Sequence, residues 1–175
     1  MKLSRLALLV ILCLLPLSCG VYKFNGASIN YNVIKTLSID NFVNSVGSGP
    51  PNMSQTFTEG LKEYFQTNTK LELVQSQGDL QFSGEINNYT VRPQAISSSG
   101  NNNQSDGTSL MRVQITVGVL FTNIRNEEDN FDKRFSFYSD YDPSTTTLNA
   151  IEDDLVNEIF EALYFDIFQA SVAQW

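Results

Sequence analysis

The sequence predicts an α+β fold: a two-layer sandwich with two helices packed on one face of a four-stranded sheet, mainly antiparallel or mixed. Strict alternation of apolar and polar residues from Met111 to Phe121 indicates a strand with one buried face. Apolar residues at helical spacing over 53–65 and 148–168 indicate two amphipathic helices. The order is strand, helix, three or four strands and a long helix, which favours placing both helices on the same side of the sheet.

The first 18 residues have the layout of a secretory signal peptide that ends at a lipoprotein cleavage site. Lys2 and Arg5 precede an apolar run over 6–17, and the small Ser18 stands directly before Cys19. The run is about a dozen residues, whereas crossing a bilayer needs roughly 20. The layout resembles that of bacterial lipoproteins, so we expect removal of residues 1–18 and acylation of Cys19. The alternative is an ordinary signal peptide beside an incidental cysteine.

Composition excludes several classes of function. Removal of residues 1–18 leaves 157 residues, enough for one domain, and changes the net charge from -8 to -10 because Lys2 and Arg5 are lost. An acidic chain of this kind is a poor candidate for nucleic-acid binding. There is no histidine, and acylation of Cys19 leaves the mature chain no thiol. We therefore expect neither a disulfide nor a cysteine-based metal site.

The first half of the predicted mature chain comprises a lipidated tether over 19–31 and the start of a single domain over 32–175. Residues 33–43 have the composition of a strand, and the Gly- and Pro-rich segment 47–52 indicates a turn. Its two prolines lack the backbone N–H groups that a phosphate-binding loop needs, so a turn is favoured. A helix then follows, with Asn52 as N-cap, Gln55 in capping-box position and an end near Asn68.

The second half reads as antiparallel strands followed by a long helix. A short strand over 71–74 and a longer one from Leu80, ended by Arg92-Pro93, precede a polar segment over 94–109. Loops of that length are either functional or merely disordered, and the sequence leaves both readings open. Strands over 111–121 and 131–138 flank the charged connection 125–130. That connection reads as a solvated turn, because it lacks the glycine and the ligand spacing of a calcium loop.

The final helix is apolar on more than one side. Either the first helix or another protein would cover its additional apolar surface. Nothing in the sequence supports catalysis, because there is no histidine base, no free cysteine nucleophile and no G-x-S-x-G elbow. The expected function is therefore non-enzymatic, without a metal or another cofactor.

Several short motifs resemble the LptE family of lipopolysaccharide-assembly lipoproteins, in the form found in Bacteroidetes-type bacteria. The resemblance runs over most of the predicted mature chain. Its motifs determine the fold and are not catalytic. They are Cys19-Gly20-Val21-Tyr22 with Phe24 and Gly26-Ala27-Ser28-Ile29, Ser54-Gln55-Thr56-Phe57-Thr58-Glu59 with Leu61, and Gly78-Asp79-Leu80 with Phe82, Gly84-Glu85-Ile86 and Tyr89.

The resemblance implies a protein anchored in the outer membrane by its lipid and facing the periplasm. Such a protein plugs an LptD-type β-barrel, helps that barrel to assemble and assists lipopolysaccharide delivery to the cell surface. The cations on or beside the last two strands are candidate contacts for lipid A phosphates, namely Arg112, Arg125, Lys133 and Arg134. Two other classes remain open: a chaperone or pilot of another outer-membrane assembly such as a secretin, and a lipoprotein that binds a small ligand or glycan.

Overall fold

The computed structural model describes residues 29–94 and 110–173, and the α+β class predicted from the sequence is confirmed for them. Over these residues the chain forms two α-helices, six strands and a short 3-10 helix, η1. Their bounds are α1 (Met53–Asn68), α2 (Leu148–Ser171), η1 (Glu127–Asp129), β1 (Thr36–Ile39), β2 (Val43–Asn44), β3 (Glu72–Val74), β4 (Leu80–Gln94), β5 (Leu110–Asn123) and β6 (Phe131–Tyr141).

The described sheet has six strands and is mixed, so the expectation of four strands was too low. The strand order is β3-β1-β4-β5-β6, with β2 also paired to β4. Strands β4, β5 and β6 are antiparallel neighbours, whereas β1 is parallel to both β3 and β4. The chain returns from β1 to β3 through α1, the kind of helical crossover that parallel pairing requires. The sequence predicted one strand over 33–43, where the structure has the two strands β1 and β2, each too short to show alternation of its own.

Both helices cover the same face of the sheet. The inward residues of β5, from Val113 to Phe121, are fully buried, while their neighbours on the other face are half-buried or exposed. This alternation matches the pattern in the sequence. It leaves a polar sheet face, which we call the open face, carrying Arg112, Gln114, Thr116, Gly118, Leu120 and the β6 residues opposite them.

Helix α1 covers much of the additional apolar surface of α2. The ring of Phe57 lies 5.0 Å from Phe160 and 5.3 Å from Tyr164, measured between centroids. Gly60 allows this close approach, since a Cβ there would lie 2.3 Å from the Tyr164 hydroxyl oxygen. Phe165 of α2 remains 51% exposed.

The predicted cap of α1 is wrong in detail. The helix begins at Met53 and ends at Asn68 as expected, but the Asn52 side chain makes no capping hydrogen bond. Asn52 has φ -97° and ψ 11°, outside the extended conformation that an N-cap residue usually adopts. Gln55 donates instead from Nε2 to Glu59 Oε1 at 2.9 Å. Of the helices in the described part of the chain, neither has the length and apolar character needed to cross a membrane.

Candidate functional site

The open face carries a connected set of polar side chains across three strands. Arg92 donates to Gln114 Oε1, and Gln114 Nε2 donates to Ser136 Oγ at 2.9 Å. Thr116 Oγ1 lies 3.0 Å from the same serine oxygen. Because hydrogen bonds link β4, β5 and β6 on this face, the polar side chains are held by one another as well as by the backbone ladder.

Arg112 is held in place at one end of this face. Its Nε and Nη2 each donate to the Asp140 carboxylate at 2.7 Å, and its guanidinium lies 3.5 Å from the centroid of the Tyr138 ring. The hydrogen bond from Arg112 lowers the pKa of Asp140, with partial burial opposing that shift. A phosphate at Arg112 would therefore have to share the guanidinium with Asp140.

Arg125 is paired as well, at the opposite end of the strands. Its Nε lies 2.9 Å and its Nη2 2.7 Å from Asp79 Oδ1, while the other Asp79 oxygen accepts from the Lys35 and Thr36 amides. The amide of Lys35 is the largest cause that lowers the pKa of Asp79 to about 2. The Arg125 side chain is 50% exposed, so part of its guanidinium still faces solvent.

Lys133 and Arg134 are exposed neighbours on β6 that project to opposite faces of the sheet. Lys133 lies opposite Val119 on the helix side, with its Nζ 4.9 Å from the Phe131 ring centroid. Arg134 lies opposite Gly118 on the open face. Within the described ranges, neither cation lies within 4.0 Å of a carboxylate oxygen, whereas Arg112 and Arg125 both do.

The four candidate cations do not converge on one point. Arg112 and Arg134 share the open face, but their register positions are six residues apart along β5, which is roughly 20 Å of strand. Lys133 occupies the other face, and Arg125 lies in the connection after β5. The sequence placed all four on or beside the last two strands. It did not show that Asp140 and Asp79 engage two of them.

The pairing of Asp140 with Arg112 could have been predicted from the sequence. If the strands predicted over 111–121 and 131–138 form a hairpin, Phe121 pairs with Phe131, and counting back along both strands from that pair places Asp140 opposite Arg112, as observed. No comparable signal existed for Asp79, which lies 46 residues before Arg125 and meets it only through the fold.

A cavity of about 300 Å³ lies beside Arg125, and we call it the end cavity. Apolar side chains from the first described residues and polar ones from the connection after β5 line it, including Ile29, Val33, Ile34, Asn123, Arg125 and Asp129. Across residues 29–94 and 110–173, no cluster of three or more Cys, Asp or Glu side chains has the geometry to hold a metal ion.

The comparisons with known proteins decide the family. The family model of LptE, described as lipopolysaccharide-assembly, matches residues 34–171. The chain belongs to the LptE family. This membership makes it a protein of a non-enzymatic, lipopolysaccharide-assembly lipoprotein family and confirms the resemblance to the LptE family, whereas the Bacteroidetes-type form stays a prediction. No curated relative matches the sequence.

Three solved structures are similar to this chain at low sequence identity. A hypothetical protein of Chlamydia trachomatis is 9% identical with a TM-score of 0.53, covering 81% of this chain and 99% of that one. The minor lipoprotein of Acinetobacter baumannii is 18% identical with a TM-score of 0.49, covering 79% and 94%. Rare lipoprotein B of Shewanella oneidensis is 12% identical with a TM-score of 0.46, covering 78% and 90%.

Three predictions fall outside the described residues. The signal peptide over 1–18 and the acylated Cys19 precede Ile29, and most of the polar segment 94–109 lies between the two described ranges. They remain predictions.

Proposed function

We propose that this LptE family member is lipidated at Cys19, anchored in the outer membrane facing the periplasm, and seated in an LptD-type β-barrel, where it helps lipopolysaccharide reach the cell surface. The family match over 34–171 carries the proposal. The structure supports it with a filled apolar core and an open face covered by hydrogen-bonded polar side chains. Such a rigid polar surface suits contact with the polar lumen of a barrel.

The partner claim is tested by purification from native outer membranes in mild detergent. We expect a large β-barrel to co-purify in stoichiometric amount. A Cys19→Ala variant with an ordinary signal peptide is the control for anchoring, because it lacks the acyl chains and should yield less of the complex. Recovery of the chain alone, or with a secretin, would reject the barrel proposal.

Among the candidate phosphate contacts, we propose that Arg134 and Lys133 contribute most. Both are exposed and unpaired with carboxylates in the described structure, so binding a phosphate would not break an existing ion pair. Arg112 and Arg125 would act as secondary contacts through the N–H groups that Asp140 and Asp79 leave open.

This ranking is tested by lipopolysaccharide binding to the purified protein. Lys133→Gln with Arg134→Gln should weaken binding about tenfold, since each substitution removes a charge-assisted hydrogen bond. Lys62→Gln with Lys70→Gln also removes two positive charges, from outside the last two strands, and should leave binding unchanged. Equal losses in the two variants would show that net charge alone matters.

The end cavity supports a second candidate function, binding of a small ligand. Its volume of about 300 Å³ is at the low end of ligand sites. Val33 lines it and is 47% exposed, so Val33→Trp should fill the cavity without disturbing the core. Loss of activity in cells with intact barrel co-purification would favour this candidate.

A further inference from the structure

Strand β6 forms a long edge of the described sheet. It has 11 residues, and among the residues that the structure describes no strand pairs with its outer side. The opposite edge, β3, has only three residues. A long unpaired edge presents a row of backbone donors and acceptors to another strand, so proteins usually cover or charge it.

Apolar side chains flank the second half of this edge. Phe137 is 37% exposed and Tyr138 46%, with their rings stacked 6.0 Å apart. Phe165 of α2 is 51% exposed. Phe165 lies about two helical turns after Glu158, which accepts a hydrogen bond from Ser139 of β6. Phe165 therefore lies on the side of α2 that faces this edge.

We propose that β6 pairs antiparallel with β6 of a second copy of this chain, about a two-fold axis at Phe137. In this register Phe137 lies opposite Phe137 of the second copy. Arg134 lies opposite Asp140 of the second copy, whose carboxylate already accepts two hydrogen bonds from Arg112 and has lone pairs left for a second guanidinium, and the symmetry repeats this contact. Directly opposite aromatic and oppositely charged pairs both stabilise antiparallel strands.

The charge pattern favours this register over a neighbouring one. Arg134 is exposed, and no carboxylate of the described chain lies within 4.0 Å of it, so it is available to a second copy. A register shifted by two residues would place Asp132 opposite Asp140 within the paired strands, whereas in the proposed register Asp132 lies opposite Asp142, one residue past the end of β6. Pairing at Phe137 also puts the helices of both copies on one face, where the two exposed Phe165 side chains flank the junction.

The self-paired form would cover Lys133 and Arg134. If these residues contact phosphate, as the proposed function holds, self-pairing and phosphate binding would compete. The proposal that β6 pairs with β6 of a second copy is argued only from the unpaired strand edge, its aromatic residues and its charges. It can therefore be tested independently of lipopolysaccharide binding.

The test uses the full chain in detergent and a cysteine at the proposed axis. Phe137→Cys should form an intermolecular disulfide under mild oxidation, because the two residues face each other. Asp132→Cys is the matched control on the same strand. It would lie roughly 30 Å from its counterpart and should not cross-link. Cross-linking of both variants at equal rates would indicate random encounter and overturn the proposal.

Sedimentation of the same chain measures the equilibrium. Arg134→Glu replaces both ion pairs by repulsion and should weaken self-association about tenfold or more. Lys62→Glu, on α1 in the helix layer, should leave self-association unchanged. A chain that stays monomeric, and whose Phe137→Cys variant forms no disulfide, would overturn the proposal. Cross-linking of the Phe137→Cys variant to a barrel protein alone would overturn it as well and assign the edge to that partner.

Discussion

Asp79 connects three parts of the fold through one carboxylate. One oxygen accepts from the amides of Lys35 and Thr36 ahead of and within β1, and the other accepts from Arg125 after β5. The side chain is only 9% exposed, so its charge depends on these partners. The Gly78-Asp79-Leu80 motif therefore ties together segments that are distant in the sequence.

Asp79→Asn should destabilise the protein by about 2–3 kcal/mol. The amide keeps the shape of the side chain but loses the ion pair and places an NH₂ group against donors. Asp132→Asn, an exposed site on β6, should change stability by less than about 0.5 kcal/mol. Urea unfolding of both variants measures the difference, and equal stabilities would contradict the role assigned to Asp79.

The same carboxylate predicts a pH dependence. Its pKa is lowered from 3.8 to about 2 in the folded protein, so its stabilisation is fully present above about pH 4 and is lost as the pH falls toward 2. As the pH falls from about 4 to 2, the free energy of unfolding of the wild type should decrease by about 2 kcal/mol more than that of Asp79→Asn. Urea titrations from pH 6 to 2 compare the two proteins, and parallel pH profiles would contradict the assignment.

The strand pair β4–β5 provides a sharp test of packing at the level of elements. A Cβ on Gly84 would lie 2.1 Å from the backbone carbonyl oxygen of Gly118. A Cβ on Gly118 would lie 3.0 Å from the flexible end of Asn87 and 3.9 Å from the carbonyl oxygen of Glu85, which is an ordinary contact. We expect Gly84→Ala to cost about 3 kcal/mol and Gly118→Ala less than about 1 kcal/mol. Thermal unfolding measures both. A larger loss of stability for Gly118→Ala than for Gly84→Ala would show that β4 and β5 are spaced differently.

Two of the three phenylalanines of α2 differ in burial, so they separate the contribution of core packing from that of the surface. Phe160 is 1% exposed and contacts Phe57, so Phe160→Ala should cost about 3–5 kcal/mol. Phe165→Ala should change monomer stability by about 1 kcal/mol or less, because about half of that side chain is in solvent. Denaturant unfolding at low protein concentration checks both values. A large loss at Phe165 would mean that α2 is rotated from its observed position.

The sequence predicted the elements that carry their own periodicity. The alternation along β5 and the apolar spacing of α1 and α2 correspond to faces that one core buries, so their existence and inward residues could be read directly. Strands β1 and β2 have four and two residues, and their parallel pairing with β4 depends on long-range contacts that leave no local pattern. The capping failure at Asn52 is a backbone effect that residue identity does not reveal.

The candidate site was predicted less well, because the sequence shows which residues are cations but not which of them form ion pairs with carboxylates. The sequence placed four cations near the last two strands, but the fold commits Arg112 and Arg125 to carboxylates and separates Lys133 from Arg134 by the thickness of the sheet. Of these pairings, only that of Arg112 with Asp140 could have been predicted, from the register of the β5–β6 hairpin. For the whole molecule, a filled core with one polar face is the feature that connects fold and proposed function.

The most direct test of that function is to deplete this protein in its native bacterium and measure lipopolysaccharide at the cell surface together with the amount of folded barrel partner. The proposal expects both to fall, and expects the intact gene to restore both. Unchanged surface lipopolysaccharide, with the folded barrel still at its normal level, would contradict the proposed role.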